Sequence, residues 1–289
     1  MRARSENRLP KSFYCGKMVK RVTLSPALKY GVLRRISIKL TQEGVKNLNY
    51  QDLLEKRNRY QAERARIPEY TLQSYEQAFE IEYTHNSTAI EGNTLTLIET
   101  KVLLEDGISV GGKHLRELYE AVNHRNAYRY VKDCIEKRMP LDEKITKDIH
   151  AILMDHIFVG GIYRSIDVYI SGAQHTPPSP NEMYRQVKDF FADLTWKGEE
   201  LNPIELAAWT HVEFVRIHPF SDGNGRTSRL IMNYQLLANG FPAISVAKES
   251  RLNYFTALET YAVEGDLMPF ADMISDLVDQ QLDRYLNMI

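Results

Sequence analysis

Twelve consecutive residues gather the side chains that could do chemistry: His218, Asp222, Gly223, Asn224, Gly225, Arg226 and Arg229. Two glycines running into a helix start form a device for anions. Glycine lets the backbone turn so that successive N–H groups point into one cavity. The free N–H groups and partial positive charge of the helix start add to that pull. Arg226 and Arg229 are three positions apart and share one side of the first turns. A cation at a helix N-terminus opposes the dipole, so the two arginines serve an anion rather than the helix. Asp222 beside a di- or triphosphate suits a Mg²⁺ ligand, because Mg²⁺ takes one or two carboxylates plus phosphates and water. His218, with an ordinary pKa near ~6.5, suits a general base. Glycine-rich turns are common and a lone histidine is usually structural. The combination at this spacing is what specifies a base, a metal ligand, a phosphate cradle and two charge clamps.

The elements that must position this loop are helical. A charged helix covers about residues 51–66 and stops at Pro68. Residues 69–91 follow, with Leu72, Tyr75, Ala78, Phe79 and Tyr83 at helical spacing and Gly92 as the stop. Thr96 and Glu99 form a capping box for a helix ending at Asp106-Gly107. A long helix runs over 113–138 and another over 142–156. Residues 160–178 break the pattern: Ile162-Tyr163-Arg164 and Val168-Tyr169-Ile170 are β-prone runs bounded by Gly172 and Pro177-Pro178, and they predict a β-hairpin. Ser179-Pro180-Asn181-Glu182 and Asn202-Pro203-Ile204-Glu205 each read as a capped helix start. The second of these helices runs to about Ile217 and delivers His218. The next begins at Arg226 and ends at Gly240, and helices over 250–264 and 268–288 complete the chain.

Composition excludes whole classes. The chain has 289 residues, of which 43% are hydrophobic and 26% charged, so collagen-like and largely disordered readings fail. No apolar run approaches the ~18–20 residues of a membrane span. Cys15 and Cys134 lie too far apart in sequence for a disulfide framework or a cysteine-rich zinc site, and a reducing, cytoplasmic location fits them. The seven other histidines show no paired-ligand spacing for zinc. Net charge is −1, yet residues 1–40 hold eleven Lys/Arg against the single acid Glu6. Such a basic arm can touch nucleic acid, an anionic membrane or an acidic partner, or simply be solvated. It lacks the apolar stretch of a secretory signal. Neither a membrane nor nucleic acid is expected as a partner of the body.

His218-Pro-Phe-Ser-Asp-Gly-Asn-Gly-Arg-Thr-Ser-Arg229 matches the Fic family motif, H-x-F-x-[DE]-G-N-G-R-x-x-R, at every fixed position. The chain therefore resembles a Fic protein over about residues 50–280. The resemblance implies an all-α fold, a Fic-type helical bundle with a small β-hairpin flap, and Gly161-Ile162-Tyr163-Arg164 is similar to the pattern at the flap entrance. The expected organisation is a basic extension over 1–48, an N-terminal helical region over 49–112, and a catalytic core with C-terminal helices over 113–289.

Fic proteins typically transfer AMP from ATP to a Ser, Thr or Tyr hydroxyl of a target protein and release pyrophosphate. By similarity His218 takes the hydroxyl proton, Asp222 holds Mg²⁺, Gly223, Asn224 and Gly225 form the anion hole, and Arg226 and Arg229 contact the polyphosphate. Phe220 is expected to fix the loop from the core. A lysine replaces the second glycine in the Doc branch, which transfers phosphate; Gly225 favours nucleotidyl transfer. Upstream, Ser87-Thr88-Ala89-Ile90-Glu91-Gly92 resembles the inhibitory pattern [ST]-x-x-x-E-[GN]. It implies that Glu91 pairs with Arg229 and obstructs productive γ-phosphate binding. The region His85–Thr96 is also similar to the animal endoplasmic-reticulum branch, in which this glutamate supports AMP removal. Tyr254 either borders the base pocket or packs in the core, and family habit implies a homodimer. Three functions are thus open: autoinhibited transfer of AMP to targets or to the chain itself, removal of AMP, and nucleotide sensing without turnover.

Overall fold

Four prolines stand at helix starts among the described residues, where a missing N–H costs nothing: Pro68 precedes one helix, Pro180 and Pro203 open two others, and Pro269 is in the first turn of the last. The computed structural model describes residues 50–109 and 111–289. The extension assigned to 1–48, with Cys15, lies outside the described residues. Among those residues the order is α1 (Tyr50–Glu63), a 3₁₀ turn, α2 (Glu69–Ile90), α3 (Leu97–Asp106), α4 (Leu115–Glu136), α5 (Glu143–Leu153), α6 (Pro180–Glu200), α7 (Pro203–Ile217), α8 (Asn224–Ala238), α9 (Arg251–Glu264) and α10 (Met268–Leu286). The all-α class stands. No described helix is long and apolar enough to cross a membrane.

Two of the three expected caps form. Thr96 and Glu99 exchange bonds of 3.2 and 2.7 Å, and Asn202 accepts from the N–H groups of Ile204 and Glu205 at 3.0 Å each. Each cap contributes about 1 kcal/mol. Ser179 makes no side-chain cap, and Glu182 instead pairs with Arg185 at 3.2 Å. Pro180 alone marks that start.

α7 and α8 carry the functional loop between them, and both are buried on more than one face. Leu206, Trp209, Phe214 and Ile217 of α7 join one apolar cluster with Leu230, Ile231 and Tyr234 of α8. Ile204, Ala207, Ala208 and Val212 face a second cluster with Met232 and Leu236. A helix that is apolar all round is stable only inside a core. The α7–α8 pair is therefore the wall between two clusters, and the loop at its end inherits that rigidity.

The β-hairpin predicted over 160–178 does not form; no strand occurs among the described residues. The chain there is irregular, with bends and a turn at Ser171–Gly172, and its hydrogen-bonding groups go elsewhere. Arg164 N–H donates to Pro219 O at 3.0 Å. The N–H groups of Gln174 and His175 donate to Glu259 Oε1 on α9 at 2.6 and 3.0 Å. Pro177 and Pro178 have no N–H to offer a ladder. β-propensity here marked irregular chain rather than strand pairing.

Candidate active site

His218 ends α7 in a left-handed conformation, φ 52° and ψ 60°. A non-glycine residue there is strained and needs support. Arg164, 2% exposed, supplies it: Nε donates to His218 O at 2.8 Å, Nη1 to Ile166 O at 2.8 Å and Nη2 to Pro178 O at 2.5 Å. Asn224 braces the loop from the other side. Its Oδ1 accepts from Phe220 N–H at 2.9 Å and its Nδ2 donates to Phe220 O at 2.8 Å. The Asn224 side chain thus holds the loop, and its backbone is the part expected to contribute to the anion nest. Phe220 is fully buried and stacks on His150 with ring centres 3.6 Å apart, so it fixes the loop as expected.

The His218 ring has a defined tautomer. Nδ1 lies 3.3 Å from Val215 O. A carbonyl only accepts, so Nδ1 carries the hydrogen and Nε2 keeps its lone pair. Burial pushes the imidazole pKa down to about 4; Arg164 and His175 also lower it, while the Val215 bond and Glu91 act against the shift. His218 is neutral near pH 7.

Asp222 takes three donors. Its Oδ1 accepts from Gly223 N–H at 2.6 Å and from Arg226 Nη2 at 3.3 Å, and its Oδ2 accepts from Arg116 Nη2. Burial raises the carboxyl pKa, but Arg226, Arg116 and the Gly223 N–H outweigh it and hold the value below the ordinary range. Arg226 is 2% exposed, with Nη1 3.6 Å from Glu120 Oε1. No group of three or more metal-binding side chains occurs among the described residues.

Arg229, 1% exposed, is fully engaged. Nη2 donates to Glu91 Oε1 at 2.8 Å and to Ser87 O at 2.7 Å, Nε to Ser87 Oγ at 2.9 Å, and Nη1 to Tyr254 OH at 3.1 Å. Burial works against its charge, yet Tyr254 and Glu91 prevail and its pKa is raised. Glu91 caps the end of α2, and Gly92 leaves the helix at φ 103°. A Cβ built on Gly225 would collide with Glu91 Oε1 and lie 3.2 Å from Arg229 Nη1. Glycine at 225 is what lets the carboxylate reach the loop. The structure thus joins Ser87, Glu91, Gly92, Arg229 and Tyr254. The Tyr254 hydroxyl also bonds His211 Nε2 at 2.9 Å.

His218, Gly225, Glu91 and Tyr254 line one cavity of about 700 Å³ with Ile170, Phe255 and other residues. That volume lies within the range of small-molecule sites. His150 escaped the sequence reading. Its Nδ1 accepts from Gly161 N–H at 2.8 Å, which makes Nε2 the donor to Asp222 O at 2.9 Å. The only signal was its place beside Ile149 on the apolar face of the 142–156 helix.

Comparison with known proteins fits this geometry. Residues 140–236 match the Fic/DOC family. The chain carries a Fic/DOC family domain. The "Protein adenylyltransferase Fic" of Drosophila persimilis is 35% identical over 208 residues, 71% of this chain and 40% of the fly protein. That of Drosophila erecta is 36% identical over 211 residues, 71% and 41% of the two chains. The chain thus spans about 40% of the length of these curated Fic relatives. Among solved structures, a Fic domain containing signaling protein from Bacteroides thetaiotaomicron superposes with a TM-score of 0.73 at 27% identity, over 82% of this chain and 96% of that one. Fic-1 from C. elegans gives 0.69 at 28% identity, over 82% and 70%. Those matches reach well beyond residues 140–236, so the Fic likeness extends past the domain itself.

Proposed function

We propose that the protein transfers AMP from ATP to a Ser, Thr or Tyr hydroxyl of a target protein or of itself, and that Glu91 restrains the reaction. The observation that carries this reading is one cavity lined by a neutral histidine with a free Nε2, the Gly225 backbone and the Glu91 carboxylate held by Arg229. The target hydroxyl attacks the α-phosphorus, and the bond from that phosphorus to the α,β-bridging oxygen breaks. His218 Nε2 takes the hydroxyl proton, and pyrophosphate leaves. Backbone N–H groups at the start of α8 and the Arg226 charge stabilise the polyphosphate, the largest contribution in this class of chemistry.

Asp222 is the residue that would hold Mg²⁺. The donor chemistry fits: a hard carboxylate beside the phosphate cradle, with the Arg116 guanidinium already a stand-in cation on Oδ2. The ion supplies charge neutralisation of the phosphates when bound.

Glu91 engages Arg229 where the γ-phosphate would otherwise bind, so the triphosphate is held in an unproductive pose. The same carboxylate is 36% exposed and lines the cavity with His218, which favours a second activity, the removal of AMP with Glu91 orienting water. Nucleotide sensing without turnover is less supported, because no motif side chain is missing. Exposed Ile98 and Leu115 support a homodimer, to be tested by sedimentation.

The test uses ATP labelled at either end. With α-labelled ATP the label should stay on protein, and with γ-labelled ATP it should leave as pyrophosphate. Protein labelled by γ-labelled ATP would mean phosphate transfer and would overturn the reading.

A further inference from the structure

Arg116 belongs to no part of the motif. It lies in the first turn of α4, and its side chain is 56% exposed. Yet its Nη2 donates to Asp222 Oδ2, the carboxylate proposed above for Mg²⁺. The two oxygens of that carboxylate are held very differently. Oδ1 is fixed by the Gly223 N–H and the buried Arg226. Oδ2 is held by Arg116, a long side chain with open space around it. Oδ2 is the oxygen whose partner could give way to a metal.

Arg116 is also aimed. Its Nε donates to Glu120 Oε1 at 3.0 Å. Glu120 Oε2 in turn accepts from Asn93 Nδ2 at 3.0 Å, and Asn93 lies two residues beyond Glu91. The Glu120 anchor lets the Nη2 end leave Asp222 while the Nε bond persists, so release costs one hydrogen bond and one solvent-exposed ion pair.

We propose that the Arg116 guanidinium is a built-in counter-cation: it occupies the outward oxygen of Asp222 when no metal is bound, and a divalent cation must displace it. The proposal rests on the reading of Asp222 as the metal ligand. With Arg116 in place the carboxylate is neutralised, and a metal-free triphosphate meets less repulsion. With Arg116 removed, the carboxylate keeps only Arg226 and the Gly223 N–H on Oδ1; its exposed Oδ2 repels the triphosphate more without metal but binds the cation without competition. Arg116 therefore sets how strongly nucleotide binding depends on Mg²⁺.

The experiment measures binding, not turnover. Calorimetry with α,β-methylene-ATP, in Mg²⁺ and in EDTA, is run on the wild-type protein, Arg116→Met and Asp222→Asn. Arg116→Met should bind more tightly in Mg²⁺ and more weakly in EDTA, raising the ratio of the two affinities by about tenfold. Asp222→Asn should bring that ratio close to one. A loss of affinity in Arg116→Met that is equal in both buffers would make Arg116 a plain phosphate contact and overturn the proposal, as would no change in either. If Asp222→Asn keeps the wild-type ratio, the metal assignment itself fails, and the counter-cation falls with it. If only the Arg116→Met prediction fails, the metal assignment survives.

Discussion

Arg229 Nη2 and Glu91 Oε1 meet at 2.8 Å across 138 positions of sequence, and Gly225 supplies the space in which they do so. Arg229 keeps three further bonds, to Ser87 Oγ, Ser87 O and Tyr254 OH. Loss of Glu91 therefore leaves the guanidinium hydrogen-bonded. The restraint proposed for Glu91 can therefore be separated experimentally from the scaffold that holds Arg229.

A double-mutant cycle separates them. Arg229→Ala should weaken triphosphate binding and also release Glu91, so its effect on AMP transfer should mix opposite signs. Combined with Glu91→Gly, the two changes should be non-additive by about 1–3 kcal/mol in transfer rate. Strict additivity would mean that the pair does not act as a unit.

The base should stay active well below the ordinary histidine range. Burial holds His218 down to about 4, with Arg164 and His175 adding to the shift and Glu91 opposing it. Its neutral, proton-accepting form therefore dominates across the whole neutral range. At saturating ATP, the transfer rate of Glu91→Gly should be flat between pH 8 and 6. A half-maximal rate at pH 6.5 would mean a solvated imidazole.

Stability should show the opposite sensitivity. His150 and His218 are held down to about 4, and His124 and His211 well below the ordinary value, in each case chiefly by burial. Below pH ~6.5 the unfolded chain binds protons that the folded chain refuses, so stability present above that pH is lost as the pH falls. Each such histidine contributes up to ~1.4 kcal/mol per pH unit. The melting temperature should drop steeply between pH 7 and 5.5. A flat profile would show that these rings are not buried neutral.

Much of this site was legible because its residues are local. Twelve positions carry His218, Asp222, both glycines and both arginines, and glycine and arginine have few other reasons to stand at a helix start. The pairing of Glu91 with Arg229 came only from family resemblance, since no spacing rule links residues so far apart. The helices were visible from their caps and apolar spacing. The flap was misread because Val168, Tyr169 and Ile170 favour extended chain, whereas Glu259 on α9 and Pro219 provide the partners a second strand would have had. The second task of Asn224, bracing the loop through its side chain, was not legible for a related reason. A sequence shows which residue stands in the loop, not whether its side chain faces the ligand or the backbone.

The most direct measurement is the rate of self-labelling with α-labelled ATP in Mg²⁺, for the wild-type protein, Glu91→Gly, and Glu91→Gly combined with His218→Ala. Glu91→Gly costs about 1 kcal/mol or less in helix propensity at a helix end, and leaves Arg229 without the Glu91 contact but with its bonds to Ser87 and Tyr254. Its labelling should exceed wild type by tenfold or more, which corresponds to ~1.4 kcal/mol of barrier. Adding His218→Ala should abolish the label while ATP is still bound. Equal labelling of wild type and Glu91→Gly, or a label that survives His218→Ala at the same rate, would contradict the account.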